Sequence, residues 1–181
     1  MSSKHQGAPE ELETVRAFVN SVDFEDETEE LTDPHALVRW LADHDLIERD
    51  AIAGAADLRR AIDVREALRA LMRANNGGDP STEAMATLRG ASERAKVALE
   101  FGPDGSSLEP HAAGVDGALG RLLVRVHAAQ HDGTWQRMKA CPWHTCHFAF
   151  YDRSRNHSRT WCDMAVCGNR AKAQTYRRAR A

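Results

Sequence analysis

Cysteine is absent from most of this chain. Only four of its 181 residues are cysteine, and all four lie between positions 141 and 167. That clustering argues against thiols scattered through a core, and against the disulfide framework of a secreted mini-protein. Long apolar runs are also missing. No stretch approaches the roughly 20 residues needed to span a bilayer. The opening segment MSSKHQGAPEELE has no apolar leader core, so with reduced cysteines the expected compartment is the cytoplasm. The G-x-S-x-G, H-E-x-x-H, P-loop and G-x-G-x-x-G signatures do not occur, so no common hydrolytic, zinc-protease or nucleotide chemistry is marked. Internal repeats and low-complexity tracts are lacking as well.

What is present is a spacing. Cys141, Cys146, Cys162 and Cys167 read C-x4-C, then fifteen residues, then C-x4-C. Two such pairs joined by a hairpin-length insert can close around one tetrahedral ion, each pair forming a small knuckle. The expected cofactor is one structural Zn²⁺ held by four thiolates. An iron–sulfur cluster also takes four cysteines, but its usual spacings differ. Redox-active or free thiols are a further alternative. His144 and His147 flank the first pair, and either can replace a cysteine as ligand. The simpler reading leaves them beside the site, because four cysteines already fill a tetrahedron.

The net charge of −3 conceals an asymmetry. Residues 134–181 carry ten Lys or Arg against Asp152 and Asp163, a balance of +8, while the first 133 residues balance at −11. An acidic body with a basic, metal-bearing end suggests two modules with different partners. The boundary expected from the Asp132-Gly133 stop divides the chain into 9–133 and 134–181.

Periodicity makes the body helical. Leu12, Val15, Phe18, Val19 and Val22 mark a first helix from Glu10. The acidic run 23–30 (DFEDETEE) reads as a solvated loop. Thr32-Asp33-Pro34 starts a second helix that carries Leu37, Val38, Trp40 and Leu41 to about His44. A third helix spans about 55–74 with Leu58, Ala61, Ile62, Leu68 and Met72 inward, and Asn75-Asn76-Gly77-Gly78 ends it. A fourth opens at Asp79-Pro80 with Met85 and Leu88 inward. Val97, Leu99 and Phe101 alternate as a strand, and 107–110 returns beside it after a Gly-Pro-Asp-Gly turn. A fifth helix covers about 116–130, with Leu119, Leu122, Leu123 and Val126 on one face. The fold expected is therefore mainly α: a helical N-terminal domain with a small β-hairpin, then a small α+β zinc module of treble-clef-like form.

Arg65 interrupts the stripe of the third helix. A guanidinium there requires an anion or a route to solvent. The alternatives are an internal salt bridge, a side chain that reaches out to water, or an anion-binding group in a pocket, which with Asn20 would make an effector site.

Within the metal-bearing end, Arg153, Arg155, Arg159 and Arg170 can offset the −2 charge of a four-thiolate zinc. Gly168 permits a sharp turn beside the metal, and Asn169 is placed to cap the helix that follows. Asp152, Ser154 and Asn156 suit local hydrogen bonds in the hairpin. Trp143, Phe148, Phe150, Tyr151 and Trp161 supply a small core. Residues 169–180 form a helix carrying Arg170, Arg177 and Arg178 near one face and Lys172 on another. Those cations reach beyond the metal and suit phosphate contacts on DNA. The candidate nucleic-acid residues are Arg155, Asn169, Arg170, Lys172, Arg177 and Arg178, with Asn169 or Arg170 placed to reach base edges. A single finger makes few contacts, so a homodimer is expected.

Cys167-Gly168-Asn169-Arg170, with Arg137, Lys139, Cys141, Cys146, Phe150, Tyr151, Asp152, Ser154, Arg155, Asn156, Trp161, Met164 and Lys172, resembles the CGNR zinc-finger family. Phe18-Val19-Asn20, Trp40-Leu41 and Val64-Arg65-Glu66-Ala67-Leu68 are similar to the ABATE domain that precedes this finger in the family. Ser21 stands where a threonine is expected. The resemblance implies a bacterial, stress-related transcription regulator. Two other functions stand beside it: an enzyme whose zinc is purely structural, with Arg65, His127 or His131 acting in a pocket, and a module that docks on protein, RNA or its own acidic segment 23–30. A redox sensor that loses zinc on oxidation is a lesser alternative.

Overall fold

The structure is a computed structural model in which residues 7–103 and 105–180 are described. Helix α1 (Glu10–Val19) is followed by a two-residue hairpin, β1 (Val22–Asp23) and β2 (Thr28–Glu29). Then come α2 (Pro34–Asp43), α3 (Ala55–Ala74) and α4 (Thr82–Arg94). A longer hairpin, β3 (Val97–Gly102) and β4 (Gly105–Pro110), leads into α5 (Gly114–Asp132). The C-terminal part has a short hairpin, β5 (Met138–Ala140) and β6 (Ala149–Tyr151), a π-helical turn (Met164–Gly168) and α6 (Asn169–Arg178). The architecture is mainly α with small antiparallel hairpins, as the periodicity requires.

Helix α3 lies at the centre, packed against α1, α2, α4, α5 and β5. Its buried face is Ala61, Val64, Leu68 and Met72, meeting Val15, Phe18 and Val19 of α1 and Leu119 and Leu122 of α5. Full burial of each large aliphatic side chain contributes about 1.5–3 kcal/mol, so this cluster dominates the stability of the body. The same apolar cluster continues past residue 133 into Trp135, Met138, Ala140, Ala149 and Tyr151. Hairpin β5–β6 therefore rests on the floor of the body.

The local signals hold with specific exceptions. Asp33 caps α2 by accepting from the backbone N–H of His35 (2.8 Å) and Ala36 (2.9 Å). Ser81, not Asp79, caps α4 through the N–H of Ala84. Gly133 ends α5 at φ +82, a left-handed position that glycine occupies without strain. Val22 leaves the helical stripe for β1. Met85, expected inward, is 48% exposed because α4 buries only its Ala84 and Ala91 side deeply. Leu99 and Phe101 form a strand as their alternation predicts, but the hairpin projects and they stay exposed.

Segment 23–30 is largely exposed, as expected of a solvated loop, but it is not irregular. It is the turn of the β1–β2 hairpin, closed by Glu27 in left-handed backbone (φ +52). Phe24 packs edge-on against the His147 ring at 5.6 Å, and the Arg69 guanidinium lies 5.0 Å from the Phe24 ring centre. The acidic turn thus leans on the C-terminal part of the molecule.

Candidate metal centre and basic helix

The four cysteines converge. Their sulfurs all lie within 4.8 Å of one another and all four residues are buried. Cys146 and Cys162 Sγ are 3.4 Å apart, and Cys162 and Cys167 Sγ are 3.8 Å apart. A tetrahedral zinc with bonds of about 2.3 Å has sulfur–sulfur edges of about 3.8 Å, so the donor set fits one zinc ion. The charge balance agrees. The Cys141 thiol is pulled down to about 2 by the neighbouring Cys146 and Cys162 thiols and by backbone N–H groups of Cys162 and Trp143. Burial and the adjacent sulfurs push Cys167 up to about 12. Four thiolates this close repel one another. A divalent cation is what permits four thiolates. Zinc bound here is a structural cross-link between the two cysteine pairs, which fifteen residues separate.

Each sulfur is placed by local structure. Cys141 directly follows β5, and its N–H donates to Phe148 O across the first knuckle. Cys146 N–H donates to Trp143 O, closing that knuckle. Cys167 sits in the π-helical turn, which Asp163 caps by accepting from Ala165 N (2.7 Å) and Val166 N (3.2 Å). Asp163 therefore takes the capping role expected of Asn169. The helical run starts five residues earlier than the spacing suggested, and the Asn169 side chain donates back to Ala165 O. Gly168 also works differently. Its backbone is ordinary right-handed helix, but a Cβ there would lie 2.3 Å from Met164 Sδ and 3.3 Å from the Trp161 ring. Met164 is half exposed and its thioether can move aside, so what favours glycine here is the close Trp161 ring and not a sharp turn. Phe150 fills the centre of the knuckle core with Trp143, Phe148 and Trp161 around it, while Tyr151 joins the core of the body.

The loop between the two cysteine pairs is tied by one buried ion pair. Lys139 Nζ donates to Asp152 Oδ2 at 2.8 Å, and also to the carbonyls of His157 (2.7 Å) and Arg159 (3.0 Å). Asp152 further accepts from the N–H groups of Ser154 and Arg159. Burial works to raise its pKa, but the Lys139 ammonium and these donors prevail and hold it at about 2. Arg159 lies over the Phe150 ring at 4.8 Å and donates to Trp161 O and Cys162 O, which puts a cation beside the sulfurs. Arg153 instead reaches back to Gly7 O.

Four side chains of the body grip the backbone of this module. Asn20 makes a two-way pair with Ala149, donating to its carbonyl (2.9 Å) and accepting from its N–H (2.8 Å). Arg69 donates to His147 O (2.9 Å) and Val19 O. Asn75 donates to Trp135 O and Met138 O, both at 2.8 Å. Asn76 donates to Ala140 O (2.9 Å) and Thr160 O (2.7 Å). Sequence reasoning read Asn75 and Asn76 only as helix terminators. It missed Arg69, whose signal was its place one turn beyond Arg65 on the same face.

Arg65 finds its anion inside the chain. It is 4% exposed and holds Glu29 with both terminal nitrogens (2.7 and 2.8 Å), Ser21 Oγ (3.1 Å) and Glu66 (3.0 Å). Burial opposes its charge, yet Glu29 and Glu66 raise its pKa above the ordinary arginine value. Of the alternatives for Arg65, the internal salt bridge is the one the structure shows: Arg65 holds Glu29 of β2, while Asn20 holds Ala149 of β6.

The basic residues separate into committed and uncommitted groups. Helix α6 buries no residue. Arg170 pairs with Glu25 of the β1–β2 turn, its own side chain 47% exposed. Lys172, Arg177 and Arg178 on α6, and Arg155 in the 152–160 loop, are exposed and form no ion pair with a described residue. Among the described residues no helix is long and apolar enough to cross a membrane.

Residues 13–145 match the ABATE family, described as "Putative stress-induced transcription regulator", and residues 137–180 match the CGNR zinc finger. No curated protein matches the chain.

Proposed function

Because the chain belongs to the ABATE family and ends in a CGNR zinc finger, we propose that it is a DNA-binding transcription regulator of the cytoplasm. In this reading residues 9–133 are the platform and 134–181 face the nucleic acid. The observation that carries it is α6, a helix with no buried residue whose Lys172, Arg177 and Arg178 are matched by no acidic side chain among the described residues. Three arginines of the body are paired by contrast: Arg60 with Asp57 and Asp116, Arg65 with Glu29, Arg69 with Glu66. Unpaired cations on an exposed rod match the charge of a phosphate backbone, where binding releases counterions. Arg155 and Asn169 join them as candidate contacts in this reading. One finger neutralises few phosphates, so the reading includes a homodimer.

Fluorescence anisotropy with a labelled duplex tests this. Binding at low salt is expected to weaken steeply as KCl rises. Lys172→Ala and Arg177→Ala should each flatten the log–log salt slope by about 1. Failure to bind any duplex at low ionic strength removes the reading. No catalysis is assigned, and a small molecule chemically altered by the purified, zinc-loaded protein would replace this proposal with an enzymatic one.

A further inference from the structure

Between the first zinc knuckle and α6 lies a groove of about 450 Å³, lined by Trp143 and His144 on one wall and by Asn169, Arg170, Gln174 and Arg177 on the other. Its chemistry is uneven. One wall is an indole and imidazole pair whose ring centres are 4.6 Å apart. The other presents two guanidinium groups and two carboxamides. Positions 170, 174 and 177 are spaced by four and three residues, which puts them on one face of the helix. Fork-shaped donors flanked by amide N–H groups are suited to an oxyanion with several acceptor oxygens. Among the described residues no carboxylate lines the groove. Arg177 forms no ion pair with a described residue, while Arg170 is held by Glu25 from the acidic turn.

Glu25 is delivered to that position by specific contacts. Its N–H donates to Asp23 Oδ1 at 2.8 Å, and the preceding Phe24 is seated against His147 of the same knuckle. The carboxylate, only 16% exposed, is thus the anion already present at the edge of a cationic groove. We propose that this groove is the seat for a phosphodiester of duplex DNA, and that Glu25 occupies Arg170 in the resting protein in place of that phosphate. DNA binding then exchanges one anion for another at Arg170, and the β1–β2 turn sets how readily the helix accepts DNA. This rests on the DNA-binding reading above.

The test is a double-mutant cycle on the full-length, zinc-loaded protein, read by anisotropy with the same duplex in a low-salt chloride buffer. Glu25→Gln should tighten binding by about threefold, the range of an exposed ion pair. Arg170→Ala should weaken it several-fold and flatten the salt slope by about 1. Glu25→Gln added to Arg170→Ala should change nothing further. Glu27→Gln, which removes an equal charge from an exposed position in the same turn, should leave affinity unchanged. Thermal melts and zinc content of each variant, expected to match the parent for Glu25→Gln, separate a change in binding from a change in folding. Wild-type binding with no gain in Glu25→Gln would overturn the exchange, as would an equal gain in the Arg170→Ala background or from Glu27→Gln. Absence of duplex binding by every form would instead remove the DNA reading, and the seat with it.

Discussion

In the helical body, Val15, Phe18, Leu68 and Leu122 are sealed from water by apolar neighbours on several helices. Beyond Ala140 the largest fully buried side chain is Phe150, and most of the remaining interior is four sulfurs. The first region gains its stability from area removed from water, the second from a cation and from hydrogen bonds donated by its neighbour. The difference shows why the finger is fused so closely to the body. A module of this size has too little apolar surface to offset its chain entropy. It borrows β5–β6 contacts with the main core, and it borrows the donors Asn20, Arg69, Asn75 and Asn76 to satisfy carbonyls that would otherwise face only the loop.

The largest effect should come from the metal. Cys162→Ser is expected to abolish stoichiometric zinc, measured by elemental analysis, since structural zinc supplies on the order of 10 kcal/mol at neutral pH. Hydrogen exchange should then show residues 141–168 losing protection while α2, α4 and α5 keep theirs. Loss of protection throughout would mean that the two regions are one cooperative unit. Next, Lys139→Ala leaves the buried Asp152 carboxylate unpaired and should cost about 3–5 kcal/mol in urea unfolding. Leu122→Ala, a cavity in the body, should cost about 3 kcal/mol with zinc content unchanged. Asn75→Ala removes both donors to Trp135 O and Met138 O and should cost about 1–3 kcal/mol. Coupling to Asn76→Ala in a double-mutant cycle would measure how far the grip acts as a unit. The smallest stability effect should be Lys172→Ala, within about 0.5 kcal/mol, which separates the exposed helix from everything that holds the fold.

Acid offers another comparison. The pKa of Asp152 is about 2 in the fold, below the ordinary aspartate value, so its ion pair stabilises fully at neutral pH. That contribution is lost as pH falls below about 4 toward 2, where the folded carboxyl itself protonates. A carbon-detected NMR titration should find Asp152 still ionised at pH 3, and Asp152→Asn should be less sensitive to that acid range than the parent.

Local order was readable without coordinates because its causes are local. Helix periodicity marked α1 to α6, and the Cys pairs marked the metal centre, since knuckle geometry depends on spacing alone. Burial was read less well. Met85 and Leu99 follow the right period but face solvent, because nothing packs over them. Asn169 lost the cap to Asp163 because the π-helical turn begins the helical run earlier.

From its sequence alone, this protein was bound to be helical in the body, to bring four thiolates to one ion, and to carry its positive charge at one end. Composition, period and spacing act over a few residues and survive any arrangement of the whole. Only the tertiary structure could decide that the anion for Arg65 is Glu29, that Asn20 serves a strand 129 positions away, and that an acidic turn rests against the basic helix. Those outcomes depend on which distant polar groups the hydrophobic packing happens to bring within about 3 Å, where a hydrogen bond forms or a buried charge goes unmatched.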